Sequence, residues 1–329
     1  MYKGVNEINI NKIKGIKVGN AQDLKAGTGC TVVICDNGAT PGVDVRGGSP
    51  GTRETDLIDP QNFVDKIHGV VLSGGSAFGL DASSGVMKYL EERNIGFDVN
   101  VTKVPIVSSA ILFDLNVGDS SIRPDFKMGY EACKNAEKNE CLSGNIGAGT
   151  GASVGKLFGI ERAMKGGLGC YAVEVGKLQV GAIVAVNCLG NILDPETGEQ
   201  LAGLLDKDKK NIISTEEQML LSFDKEQNLF LSNTTIGVVI TNGKFTKAQA
   251  NKIASMAHDG YGRTMRPAHS MFDGDTIFAL ATGEVEAEIN VVGFLSAKVM
   301  EKAIIKAIKE ADFAYGLKSY KDIKNNFNF

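Results

Sequence analysis

The chain has 329 residues, 43% hydrophobic and 22% charged, with a net charge of −4. This is ordinary for a globular protein and leaves no basic face for nucleic acid. No run approaches the ~18 apolar residues of a membrane span, and the opening Met1-Tyr-Lys-Gly-Val-Asn lacks a signal-peptide core, so no membrane partner and a cytoplasmic location are expected. Three histidines (His68, His258, His269) without an HExxH pattern argue against a zinc enzyme. The six cysteines (Cys30, Cys35, Cys133, Cys141, Cys170, Cys188) form no CxxC pair and are expected to be reduced packing residues. The 40 glycines follow no period and fall beside strands and helix starts, which suits tight turns and close backbone approach.

Along the chain, Thr31-Val-Val-Ile-Cys35 predicts a strand and Gly47-Gly-Ser-Pro-Gly51 a loop. Val70 to Leu72 feeds the turn Ser73-Gly-Gly-Ser-Ala-Phe-Gly79, and helical spacing follows from Leu80 to Arg93. Strand, glycine turn and helix together make either an anion site or a tight packing corner; the P-loop lysine and the dinucleotide spacing are both missing. Val104 to Asp114 is apolar, and Asp125 to Asn139 predicts a helix. Gly144 to Lys156 is the most glycine-dense stretch, expected to bring backbone N–H groups and Lys156 to one place. Leu168–Val175 and Leu178–Cys188 predict a hairpin turning at Gly176-Lys177. Residues 194–224 are polar and charged and predict an exposed linker. Thr246-Lys-Ala-Gln249 is a capping box opening a helix to about Gly260. Arg263 to Phe272 predicts a loop, Asp275 to Thr282 a buried strand, Val285 to Phe294 further strand, and Ser296 to Asp312 an amphipathic helix. Strands and helices mix without strict βαβ alternation, and no composition break divides the chain, so residues 1–329 are expected to form a single domain.

The stretch Leu229 to Asn242 organises the rest. Ile236 to Ile240 is a β-branched run suited to a buried strand, and Ser232-Asn-Thr-Thr235 stands directly before it. A hydroxyl there is either a local cap or a nucleophile freed by cutting the Asn233–Thr234 bond, since an N-terminal threonine carries its own amine as base. Asp273-Gly-Asp275 is a turn, a partial cation site or a proton-handling pair. Asn187 is a hairpin-end residue or an amide donor to an oxyanion. Lys156 is a surface charge or a pocket cation.

Ser73-Gly-Gly-Ser-Ala-Phe-Gly-Leu-Asp81, Val104-Pro-Ile-Val, Ala110 to Leu115, Gly147-Ala-Gly-Thr-Gly-Ala152 and Met271 to Gly283 together resemble the L-aminopeptidase/D-esterase family, which includes the nylon-oligomer (6-aminohexanoate oligomer) endo-hydrolases. The resemblance spans about residues 20–311. It implies a self-processing N-terminal-nucleophile hydrolase of α/β class and αββα architecture, acting on peptides or other linear oligoamides without a cofactor or metal. By the same resemblance the chain is cut at Asn233/Thr234 into 1–233 and 234–329. Thr234 is the nucleophile, Thr235 fitting the same pattern after a one-residue shift. Asp273 and Asp275 support the threonine, and Lys156 and Asn187 line its pocket. Asp273 stands where the aminopeptidase branch has a serine, which leans toward the nylon-hydrolase branch. A homo-oligomer of αβ units, a tetramer, is also implied. An acyltransferase of the ornithine-acetyltransferase type, or an uncut inactive homologue, are the alternatives.

Overall fold

The computed structural model describes residues 3–223 and 233–325. Residues 229–232 of the organising stretch, and Asp224 at the end of the charged segment, lie outside them.

Two sheets stack face to face, and one long strand belongs to both. The first runs β1 (Asn6–Ile8), β11 (Gly167–Val175), β12 (Leu178–Val186), β15 (Ile236–Gly243), β17 (Thr276–Val285) and the second half of β3 (Thr28–Val45). The second joins β2 (Lys17–Asp23) and the first half of β3 to β5 (Ile67–Ser73), β8 (Val107–Ile111) and β4 (Thr52–Arg53). The changeover lies in β3 itself: it pairs with β5 from Cys30 to Ile34 and, after a slip in register, at Ala39, then with β17 from Thr40 to Val45. Smaller pairings are β6 (Phe97–Asp98) with β7 (Lys103–Val104), β9 (Ser153–Val154) with β10 (Met164–Lys165), and β13 (Asn191–Leu193) between β14 (Gln200–Ala202) and β16 (Met265–Arg266).

Strand alternation divides the interior into layers, because successive side chains point to opposite faces. Ile183 and Ala185 of β12 join Ile236, Val238 and Ile240 of β15 in a core shared with Val33, Val70 and Leu72 of the second sheet. Val180, Ala182, Val184 and Val239 face the other way, against α4 (Lys247–Thr264) and α5 (Ile289–Glu310). On the outer face of the second sheet, Val32, Ile34 and Val71 pack on α1 (Ala82–Glu91) and α2 (Phe126–Ala136). The result is an αββα sandwich. With both faces of β15 covered, its sequence is continuously apolar rather than alternating. The short helices α3 (Thr215–Leu220) and α6 (Tyr320–Asn325) complete the α-helices among the described residues.

Most predicted elements are found: the hairpin β11–β12, helices α1 and α2, and the box on α4, where Thr246 and Gln249 cap each other. Three expectations need correction. Residues 285–294 are not strand beyond Val285; Glu288 accepts the Val291 N–H and starts α5 at Ile289, so packing on the sheet overrides the β-branched sequence. The 194–224 segment is not an exposed linker up to residue 215: β14 pairs with β13, Leu201, Leu204 and Leu205 are buried, and the Asn191 side chain bonds to Leu204, Ile213 and Thr215. Finally, Cys141 and Cys170 form a disulfide, while Cys30, Cys35, Cys133 and Cys188 are free and buried. The bridge follows from the pairing of Gly144 with Leu168, which lays the chain after α2 against β11.

Candidate active site

Strand register gathers the candidate residues at one end of the first sheet. β12 runs antiparallel to β15, with Ala185 opposite Ile236, so Asn187 follows the end of β12 beside the start of β15. β17 runs parallel to β15, with Ile236 opposite Thr276, and an isolated bridge pairs Asn233 with Asp273 ahead of them. Asn187, Asn233, Thr234, Thr235, Asp273 and Asp275 therefore meet, and all are buried. Lys156 reaches them from the segment after β9 and is only 3% exposed, which rules out the surface reading.

The Asn233–Thr234 peptide is held from several sides. The Asn233 carbonyl oxygen accepts the Gly274 N–H at 2.9 Å and also the Thr234 hydroxyl. The Thr234 N–H donates to the Asn187 carbonyl at 3.0 Å. A Cβ on Gly274 would lie 2.7 Å from both Thr234 Oγ1 and the Ser49 carbonyl, so glycine is what lets this backbone approach the hydroxyl. Thr235 differs: its hydroxyl contacts Met265 Sδ at 3.4 Å, on the side away from the 233–234 bond, as alternation in an extended chain requires.

The two aspartates have separate partners. Asp275 Oδ1 accepts the Thr235 N–H at 2.8 Å, and its Oδ2 accepts the His269 N–H at 3.1 Å and meets His269 Nδ1 at 2.9 Å. Asp273 Oδ2 accepts the N–H (2.9 Å) and hydroxyl of Ser270, and its Oδ1 the Leu189 N–H at 3.4 Å. Spacing two apart on a strand suggests that both carboxylates point at one threonine; instead Asp275 holds the residue after Thr234, and Asp273 holds the chain beyond Asn187. Asn187 Oδ1 accepts Lys156 Nζ at 2.8 Å and the Ser153 N–H at 3.0 Å, while its amide NH₂ donates to the Phe113 carbonyl at 3.1 Å. Lys156 Nζ also donates to the Asn187 carbonyl at 3.0 Å, the same oxygen that Thr234 N–H uses.

The model of peptidase family S58 matches residues 9–321. The chain belongs to this family. It is 39% identical to an uncharacterized aminopeptidase of Mycobacterium leprae, over 94% of this chain and 92% of the relative. It is 28% identical to a 6-aminohexanoate-oligomer endohydrolase of Kocuria sp., over 90% of this chain and 84% of that one. The fold superposes on the L-aminopeptidase D-Ala-esterase/amidase of Ochrobactrum anthropi, described as a variant of the Ntn hydrolase fold, with a TM-score of 0.72 and 16% identity over 96% and 92% of the two chains. The chain is thus an amide-bond hydrolase with an Ntn-hydrolase fold.

Around the centre of this S58 peptidase lie ionisable groups that sequence reasoning left without a role. Asp114 ends the apolar run 104–113; its oxygens accept the Gly75 N–H and the Thr28 hydroxyl, both at 2.7 Å, so the glycine turn at Gly74-Gly75 is filled by the chain's own carboxylate. Lys165 is fully buried and donates to the carbonyls of Gly149, Ala152 and Gly166 at 2.9–3.0 Å. Burial pushes both Lys156 and Lys165 down to about 7, and pushes Asp114 and Asp273 up to about 6; Asp275 adds to the rise at Asp273. Only a glycine-rich context marks Lys165 in the sequence, and nothing marks His269. Among the described residues no group of three or more His, Cys, Asp or Glu side chains could hold a metal ion, and no helix is long and apolar enough to cross a membrane.

Proposed function

We propose that Thr234 is the nucleophile of this S58 peptidase and is exposed by cutting the chain at Asn233/Thr234. The observation that carries this reading is the scissile carbonyl: it receives both the Thr234 hydroxyl and the Gly274 N–H. Thr234 Oγ attacks the Asn233 carbonyl carbon, its proton passing in the course of the shift to the leaving amide nitrogen of Thr234 itself, and the negative charge that develops on the oxygen falls on a donor already in hydrogen-bond contact. One such donor is typically worth ~2.7–4 kcal/mol in a transition state. The C–N bond breaks as the amide nitrogen takes a proton, leaving an ester on Oγ. Water then releases Asn233 as a carboxylate and Thr234 with a free α-amine. The products are 1–233 and 234–329.

In the cut enzyme the α-amine takes the hydroxyl proton as Thr234 attacks a substrate amide. Lys156, which shares the Asn187 carbonyl with that nitrogen, favours the neutral amine when it is charged. Asn187 anchors both groups, and of its two amide hydrogens the one not given to the Phe113 carbonyl is the donor it offers to an oxyanion. Asp275 orients the strand carrying the nucleophile, and Asp273, with its raised pKa, is suited to passing a proton near neutral pH. The substrate class is a peptide or other linear oligoamide, in keeping with relatives named as aminopeptidases and as an oligoamide endohydrolase. Assembly into a homo-oligomer belongs to the same reading, and light scattering on the purified protein tests it.

Intact mass and a denaturing gel test the cut. Wild type is expected as two fragments meeting at 233/234, and Thr234→Ala as one chain without activity. N-terminal sequence starting at Thr235 would move the nucleophile by one residue; a Thr234→Ala chain that still cuts would sink the mechanism.

A further inference from the structure

We propose that His269 is a positioning residue for catalysis: it aims the Asp275 carboxylate at the peptide that follows the nucleophile. This rests on the reading of Thr234 given above. Asp275 Oδ2 takes two hydrogen bonds from one residue, the main-chain N–H of His269 at 3.1 Å and its Nδ1 at 2.9 Å. An oxygen accepting on both sides requires Nδ1 to carry the hydrogen, which fixes the tautomer of the ring. The other oxygen, Oδ1, is then left to receive the Thr235 N–H at 2.8 Å.

The ring is itself held by α4. Tyr261 stacks on it with planes 25° apart and centroids 6.0 Å away, and His258 meets it edge to face at 4.8 Å. His258 and Tyr261 are three apart and so share one helix face. His258 is pinned in turn by Nε2 on the Asp44 carbonyl at 3.0 Å. Backbone geometry adds a constraint, since His269 has φ +58°, in the left-handed region that is uncommon for residues other than glycine and in which histidine is one of the few side chains enriched. A loop residue in this left-handed conformation thus delivers two donors to one carboxylate oxygen. Helix α4, His269, Asp275 and the strand start at Thr235 form one continuous support.

The test compares variants that tolerate this backbone. His269→Gly removes the ring and its donor. His269→Asn keeps a donor, Nδ2, where Nδ1 stood; His269→Asp keeps the shape but replaces that donor by an acceptor facing a carboxylate. Self-cutting is followed by gel, and kcat and KM are measured on a small p-nitroanilide, per folded molecule. Loss of one hydrogen bond to a carboxylate predicts that His269→Gly lowers kcat and the cutting rate about ten- to a hundredfold with KM within about twofold, and that His269→Asn regains most of it. If His269→Gly does not fold, the contrast of His269→Asn with His269→Asp decides. Wild-type rates in His269→Gly, or equal impairment in the asparagine and aspartate variants, would overturn the proposal. Thr234→Ala run in parallel separates the two readings: if it is uncut and inactive while His269→Gly behaves as wild type, only the role of His269 fails.

Discussion

Lys156 is a buried ammonium with two oxygens of a single residue, Asn187, as its partners. Burial lowers its pKa from 10.5 to about 7, against the pull of Cys188, Asp273 and Asp114. Between those values the unfolded chain binds more protons than the folded one, so this group's contribution to stability is full above 10.5 and is lost as pH falls toward 7. Lys156→Met lacks that dependence: its urea midpoint is expected to rise less between pH 7 and pH 10 than wild type. Without the neighbouring cation the α-amine is easier to protonate, so the rising limb of activity is expected to move to higher pH. Asp273 has the opposite sign. Its pKa is raised from 3.8 to about 6, chiefly by burial, so its contribution is present below the unfolded value and is lost as pH rises through 6. Asp273→Asn is therefore expected to melt no lower than wild type at pH 8, yet to lose about a hundredfold or more in turnover. A variant that melts lower but keeps its turnover per folded molecule would reduce Asp273 to a turn former. Asp275→Asn tests its neighbour in the same two measurements.

At the scale of elements, what could be foreseen was what local chemistry decides. The capping box at Thr246, the β-branched run of β15 and the Gly176-Lys177 hairpin turn each state their structure within a few residues. The first turn of α5 does not, because Ile289, Val291 and Val292 all favour strand, and it is the burial of Val292 in the core that selects helix. Of the residues that meet at the candidate site, Thr234, Asp273, Asp275, Asn187 and Lys156 are the ones that motif resemblance singles out. His269, Lys165 and Asp114 are not among them, since each takes its meaning from partners distant in sequence. The disulfide belongs with these. It closes a loop of 29 residues between Cys141 and Cys170, for which chain entropy predicts about 3–4 kcal/mol. Cys141→Ser is expected to lose a large share of that in denaturant unfolding, and a reducing agent to lower the wild-type midpoint but not that of the variant. Thr246→Ala, which removes the α4 cap, is expected to cost ~1 kcal/mol and to leave turnover per folded molecule unchanged.

For the whole molecule, the position of the predicted cut matters more than its chemistry. β15 is an interior strand, hydrogen-bonded to β12 on one side and β17 on the other, and buried along its length. The segment beginning at Thr234 supplies β15, β17, α4 and α5, which is part of the first sheet together with its covering helices. The two fragments are therefore expected to co-elute under native conditions and to part only in denaturant. Cutting ahead of such a strand also changes the molecularity of unfolding. The uncut Thr234→Ala chain should melt at a temperature independent of its own dilution. The cut protein should melt lower as it is diluted, because its pieces must find one another again. The stability of the cut enzyme is therefore expected to carry a concentration term that the uncut chain lacks, and dilution alone to shift the balance from the closed sandwich toward separated pieces.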